Sequence, residues 1–260
     1  MTALHLDRLT WAEVKEEIQK GRDTVVVPFG STEQHGRHMP LGTDAVLGDE
    51  IGWGLSERLD AFLAPTVRFG CSEHHLGFTG TISLGKETFR SIVADVVASL
   101  SGHGFQRIVL LPTHGGNFNP LAEAVAKIKP AKGVRILAFT DFEGFVNAAF
   151  ESSRAFGVAA AKSGAHSGEW ETSLMLALRP EQVKMDRAGE GFVGELSEIM
   201  SKVFDGIQNL VQNGVLGDPC PATAEAGKKY LKDIIAFFYR YLLSRNTGFN
   251  LIRDPGASRR

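Results

Sequence analysis

An α/β fold with a mainly parallel sheet, covered by helices on both faces, is predicted by three features of the sequence. Short β-branched runs have strand length, amphipathic segments of helix length alternate with them, and the two clearest runs each open into a polar, glycine-bearing loop. Strands that alternate with helices imply right-handed βαβ crossovers and therefore parallel pairing.

The elements follow in order. Thr10 to Lys20 carries a capping threonine, Glu13 three residues later, and apolar Trp11, Val14 and Ile18 at helical spacing. Thr24 to Phe29 reads as a buried strand, followed by a polar stretch from Gly30 to Asp44 and a helix from Ala45 to Leu59. Phe62 to Val67 is a second candidate strand, and Cys71 to Gly85 is loop-like. Thr88 to His103 has helical spacing in Phe89, Ile92, Val93, Val96, Val97 and Leu100. Arg107 to Leu111 is a clear strand that opens into Pro112–Asn119 and a helix through Lys129, and Val134 to Phe139 is another strand. Glu169 to Leu178 and the long Gly191–Asn213 stretch read as helices, and an amphipathic helix lies near the C-terminus around Phe237–Leu243.

With 260 residues, 43% hydrophobic and 22% charged, the chain suits one domain over residues 1–260. The net charge of -2 and the lack of any lysine- or arginine-dense block argue against nucleic acid as a partner. Met1 to Trp11 is too polar for a signal peptide, and no apolar run approaches the roughly 20 residues that span a bilayer, so no membrane partner is expected. Cys71 and Cys220 read as reduced thiols of a cytoplasmic protein.

Metal-ligand residue types concentrate in the loops after the two best strands. The first loop holds Glu33, Gln34, His35 and Gly36 and continues to Asp44; the second is Thr113-His114-Gly115-Gly116-Asn117. In open α/β sheets, sites form beyond the carboxyl ends of the strands, which is where both loops lead. Glu33 and His35 point the same way in an extended segment, and a carboxylate such as Asp44 can bridge two cations. Gly115 and Gly116 let the main chain approach a ligand closely, and Asn117 can brace the loop. Around the third constellation, a helix from Glu169 places Glu171 on the face of Leu174, Met175 and Leu178, hence inward. Glu169 is then expected at the solvent or fixing a neighbour at the helix N-terminus. His166 precedes that helix and can reach the same crevice as general acid or substrate ligand. Glu73 and His74 sit in a loop suited to lining a substrate pocket.

Glu33-Gln34-His35-Gly36, Asp44, His114-Gly115-Gly116-Asn117 and His166 with Glu171-Thr172-Ser173 together resemble the creatininase (creatinine amidohydrolase) family. The likeness runs from about Leu9 to Tyr230 and includes the Gly217-Asp218-Pro219 turn. It implies a three-layer α/β/α sandwich, frequent assembly as a hexamer, and two divalent metal ions, zinc paired with zinc, manganese or iron. By the resemblance Glu33 binds the first metal and His35 the second, Asp44 bridges, His114 joins His35, Glu171 completes the first site, and His166 is the catalytic histidine. Glu73, His74, Gly115, Gly116 and Asn117 are the expected substrate contacts.

The sequence also departs from creatininase. Gly116 and Ala165 stand where creatininase has glutamates, the first of them a metal ligand. Ala138-Phe139-Thr140-Asp141-Phe142 lacks the tryptophan of the corresponding segment. These departures point away from creatinine itself. Gly70-Cys71-Ser72-Glu73-His74-His75 is closer to branches similar to cofactor-biosynthesis deformylases or to a peptidase that matures a redox-cofactor precursor. The expected activity is metal-assisted hydrolysis of a non-peptide C–N bond, a cyclic amide or formamide, in a small molecule. The alternative is a metal-stabilised assembly or binding protein without catalysis, which the Gly116 departure favours. A Cys71 thiol nucleophile accounts for fewer residues than the metal-ligand set.

Overall fold

A computed structural model describes residues 3–245. Among these, five strands, β1 (Leu4–His5), β2 (Thr24–Phe29), β3 (Phe62–Leu63), β4 (Arg107–Pro112) and β5 (Arg135–Ala138), pair in parallel in the order β1-β3-β2-β4-β5. The helices are α1 (Trp11–Gln19), α2 (Thr43–Leu59), α3 (Lys86–Gly102), α4 (Phe118–Lys127), α5 (Phe142–Arg154), the short α6 (Ala160–Ser163), α7 (Glu169–Leu178), the short α8 (Met200–Val203) and α9 (Ala224–Ser244).

Successive strand residues face opposite sides, and this alternation splits the core in two. Val26, Val109 and Leu111 pack against α2, α7 and α9 through Leu47, Ile51, Leu174, Tyr230 and Phe238. Val25, Val27, Phe29, Ile108 and Leu110 pack on the other side against α3 and α4 through Phe89, Val93, Val97 and Leu121. Because both faces are covered, β2 is buried at every position, as its unbroken apolar run requires. The result is the expected α/β/α sandwich with a parallel sheet. From β2 the chain passes through α2 to β3 on one side, then through α3 to β4 on the other. The connections that leave the carboxyl ends of β2 and β4 therefore run to opposite faces of the sheet and leave a crevice between them.

Three local expectations are corrected. The strand over Phe62–Val67 shortens to Phe62–Leu63 with a single further bridge from Val67 to Phe29, because Pro65 has no N–H to give the ladder. Gly191–Asn213 is not a run of long helices. It breaks into 3-10 turns at Leu196–Glu198 and Ile207–Asn209 around α8, and Gly206, at φ 116°, ends the helical course. Conversely, α5 escaped the sequence reading although Asp141 caps it, its side chain accepting from the Gly144 N–H at 2.8 Å.

Candidate metal centre

The loops after β2 and β4 carry their acids and histidines into that crevice, with α2 and α7 supplying one carboxylate each. Glu33 and His35 are fully buried, Asp44 lies in the first turn of α2, and His114 comes two residues after the end of β4. His114 Nδ1 lies 3.2 Å from Glu33 Oε1 and 3.3 Å from Asp44 Oδ2. His35 Nε2 lies 3.3 Å from Asp44 Oδ1 and 4.0 Å from Glu171 Oε2. Asp44 thus presents one oxygen to each side. In these distances His114 lies nearest Glu33 and Asp44, and Glu171 lies nearest His35.

Glu33 Oε1, His35 Nε2 and Asp44 Oδ2 are buried and make no hydrogen bond. An orphaned buried polar atom costs roughly 1–3 kcal/mol, more when charged, and three at one point call for a shared partner. Nitrogen or oxygen donors of Glu33, His35 and Asp44 lie within 4.8 Å of one another, as do those of His35, His166 and Glu171 and those of Glu33, His75 and His166. The donor set, imidazoles and carboxylates, fits borderline divalent cations.

Backbone carbonyls orient the imidazoles. His35 Nδ1–H donates to Glu33 O at 3.1 Å, His114 Nε2–H to Cys71 O at 3.1 Å, and His166 Nε2–H to Gln34 O at 2.8 Å. The opposite ring nitrogens face the acids, as metal-ligating histidines require. Burial alone would lower the His35 imidazole, but Asp44 and Glu171 hold it up at about 9; burial likewise opposes His114, which Glu33 and Asp44 raise well above the usual range. Burial pushes the Glu171 carboxyl up to about 7 against the pull of His35. For Asp44 burial raises and the two imidazoles lower, and the imidazoles win. Burial and neighbouring His35 keep His166 neutral, well below its usual value.

The expected substrate contacts divide. His74, Gly115 and Gly116 line a cavity of about 180 Å³ together with Glu33, Asp44, His114, His166 and Glu171. Glu73 does not; it is exposed on the outer side of the turn over Glu73–His75. Asn117 is fully buried outside the cavity lining and braces the loops, spending both amide hydrogens on Phe29 O and Gly30 O and accepting from the Cys71 N–H. Of the two expectations for Glu169, exposure to solvent fails: it is 1% exposed, and it fixes neighbours by accepting hydroxyl hydrogen bonds from Ser153, Ser173 and Tyr230.

His75 was missed. Its Nε2 lies 3.2 Å from Glu33 Oε1, and it lines the cavity together with its neighbour His74. The adjacent pair was visible in the sequence, but a pair in a loop does not show which ring turns inward. Gly116 also finds its reason. A Cβ there would lie 2.2 Å from Cys71 O and 2.5 Å from His114 Nε2, so the loop that carries His74 and His75 fills the room a side chain would need. Burial pushes the Cys71 thiol up, away from the thiolate form a nucleophile needs. A larger open groove of about 660 Å³ between α3 and α4 contains none of the histidines.

The sequence model for creatininase (creatinine amidohydrolase) matches residues 7–242. The chain is 32% identical over 218 residues to the mycofactocin precursor peptide peptidase of Mycolicibacterium smegmatis, covering 81% of each protein. It is 30% identical over 211 residues to the creatinine amidohydrolase of Pseudomonas putida, covering 71% of this chain and 75% of that one. A solved structure of manganese creatininase superposes with a TM-score of 0.77 at 24% identity, covering 94% of this chain and 98% of that one. The chain belongs to the creatininase family.

Proposed function

We propose that this protein is a metal-dependent amidohydrolase that cleaves a C–N bond of a small-molecule amide, such as a formamide or cyclic amide. The observation that carries this reading is the cluster of three buried donor atoms without hydrogen bonds, Glu33 Oε1, His35 Nε2 and Asp44 Oδ2. Glu33, His114 and Asp44 would hold one divalent ion, and Asp44, His35 and Glu171 a second; zinc, manganese or iron suits these ligands. Bound there, the ions would lower the pKa of water toward neutrality and polarise a carbonyl oxygen.

The chain's own groups handle the proton and the substrate. His166 Nδ1, neutral and 3.7 Å from Glu33 Oε1, takes the proton of the attacking water and returns it to the departing nitrogen. Amide and water thereby become carboxylic acid and amine. Gly115 and Gly116 allow the carbonyl to lie close to the main chain. Glu171 supports catalysis over a purely structural metal role, since it restores a carboxylate where Gly116 offers none. The peptidase relative favours a second reading in which the scissile amide belongs to a peptide precursor.

Assembly as a homo-oligomer, a hexamer by resemblance, belongs to the proposal and is checked by light scattering. Among the described residues no helix is long and apolar enough to cross a membrane. The unpaired Cys71 and Cys220 accord with a reducing cytoplasm. Elemental analysis of the purified protein, with hydrolysis of formamides, lactams and a short peptide series, tests the reading. About two metals per chain and cleavage of one class are expected. No bound metal, and no activity after adding zinc, manganese or iron, would overturn it.

A further inference from the structure

The cavity has a second wall that the hydrolytic groups do not use. Phe118, Phe142 and Phe145 come from α4 and α5, and Val203, Phe204 and Ile207 come from the segment around α8. Phe118 packs edge-on to Phe142 with ring centroids 5.3 Å apart and tilts against Phe145 at 5.5 Å, so these rings form a braced surface. Phe204 is 62% exposed, and its ring stands 5.4 Å from that of His74. A phenylalanine held in water beside a reactive crevice leaves apolar area that a ligand can cover.

Charge points the same way. Glu33, Asp44 and Glu171 line the cavity, and among the described residues no lysine or arginine does. Away from the metal centre, a carboxylate or phosphate on the substrate would find no lysine or arginine to pair with, and burying it unpaired is costly.

We propose that the substrate is an uncharged amide bearing an aryl or aralkyl group beside the scissile bond, and that Phe142 and Phe204 hold that ring. This deepens the amidohydrolase reading and rests on it. Aromatic rings gain from offset or edge-on contact beyond the area they bury, and the braced wall offers such contact.

The test uses the purified, metal-loaded full chain and substrates matched in leaving-group basicity. On the amine side these are N-(2-phenylethyl)formamide, N-propylformamide and anionic N-formyl-β-alanine; on the acyl side, N-methyl-3-phenylpropanamide and N-methylbutanamide. The phenyl compound of at least one series should show kcat/KM roughly tenfold or more above its alkyl partner, with the anion slowest. Phe142→Ala and Phe204→Ala should each lower kcat/KM for the phenyl compound to about that of its alkyl partner. Equal kcat/KM in both series, or preference for the anion, overturns the inference and leaves the hydrolase reading standing. If no amide is cleaved, the hydrolase reading fails, and saturation-transfer NMR with the same compounds decides the ring site. Binding of a phenyl compound that is lost in Phe204→Ala supports it; no binding, or binding unchanged in both variants, overturns it.

Discussion

Replacing Glu169 by glutamine keeps the side-chain volume but removes a charge that three hydroxyls share. Ser173 Oγ and Tyr230 OH donate to Glu169 Oε1 at 2.7 and 3.0 Å, and Ser153 Oγ donates to Oε2 at 2.8 Å. The network ties α7 to α5 and α9. Glutamine retains one acceptor oxygen, so charge-assisted bonds worth roughly 1.5–3 kcal/mol each fall to neutral ones of about 1, a loss of about 0.5–2 kcal/mol at each of the three. Glu169→Ala strands all three hydroxyls and should cost about 3–5 kcal/mol. At roughly 2–4 °C per kcal/mol for a chain of this size, the glutamine variant should melt several degrees lower. Glu171, two residues on, should behave oppositely: Glu171→Gln lowers metal content and leaves the melting temperature nearly unchanged. The assay is calorimetry of both variants with chelator present, so that lost metal is not read as lost packing, beside elemental analysis without chelator. A Glu169→Gln protein that melts like the parent but binds less metal would refute the assignment of the two carboxylates.

Other consequences are direct. Asp44→Ala should lose metal on dialysis, because both sides of the centre share that residue; two equivalents retained by elemental analysis would exclude bridging. His166→Ala should keep its metal and lower kcat by roughly a hundredfold, and unchanged turnover would remove His166 from proton transfer. Since His35, near 9, and the raised His114 carry protons at pH 7 in the metal-free protein, zinc uptake should release about two protons. Affinity should therefore rise with pH at least to about 9, which calorimetry in buffers of different ionisation heat will show. Gly116→Ala, whose Cβ meets a backbone oxygen, should destabilise by about 1–3 kcal/mol in urea, whereas ordinary stability would mean that the Cys71–His75 loop gives way.

The parts of this molecule legible in the sequence are those set by short-range periodicity. β2 and β4 are continuous apolar runs because both their faces are covered, and the loops that follow hold Glu33, His35 and His114 by topology alone. What escaped depends on rotation about an axis or on distant partners. Whether Glu169 faces solvent turns on Ser153 and Tyr230, which are 16 and 61 residues away. Which of His74 and His75 turns inward is decided by Gln34, 41 residues earlier. The Gly191–Asn213 stretch has enough apolar residues for a helix, yet Gly206 breaks it, and the broken segment brings Val203 and Phe204 to the cavity.

Gln34 also determines what His75 can do. The carbonyl oxygens of Gln34 and Gly214 can only accept, so His166 carries its proton on Nε2, toward Gln34 O at 2.8 Å. The Gly36 N–H donates to Gln34 Oε1 at 2.9 Å, which orients the amide and leaves its nitrogen 3.0 Å from Gly214 O and 3.0 Å from His75 Nδ1. One amide hydrogen goes to Gly214. His166 Nε2, also 2.9 Å away, already bears a proton and cannot accept the other. It therefore goes to His75 Nδ1, and neutral His75 must hold its own proton on Nε2, facing Glu33. Once metal displaces the extra protons of His35 and His114, these two and His166 turn lone pairs to the centre, whereas His75 turns an N–H toward Glu33, which does not suit it to ligation. Nitrogen-15 shifts of the imidazoles should then show protonated Nε2 for His75 in parent protein. A His75 protonated on Nδ1 instead would place it among the ligands and break the chain of donors at Gln34.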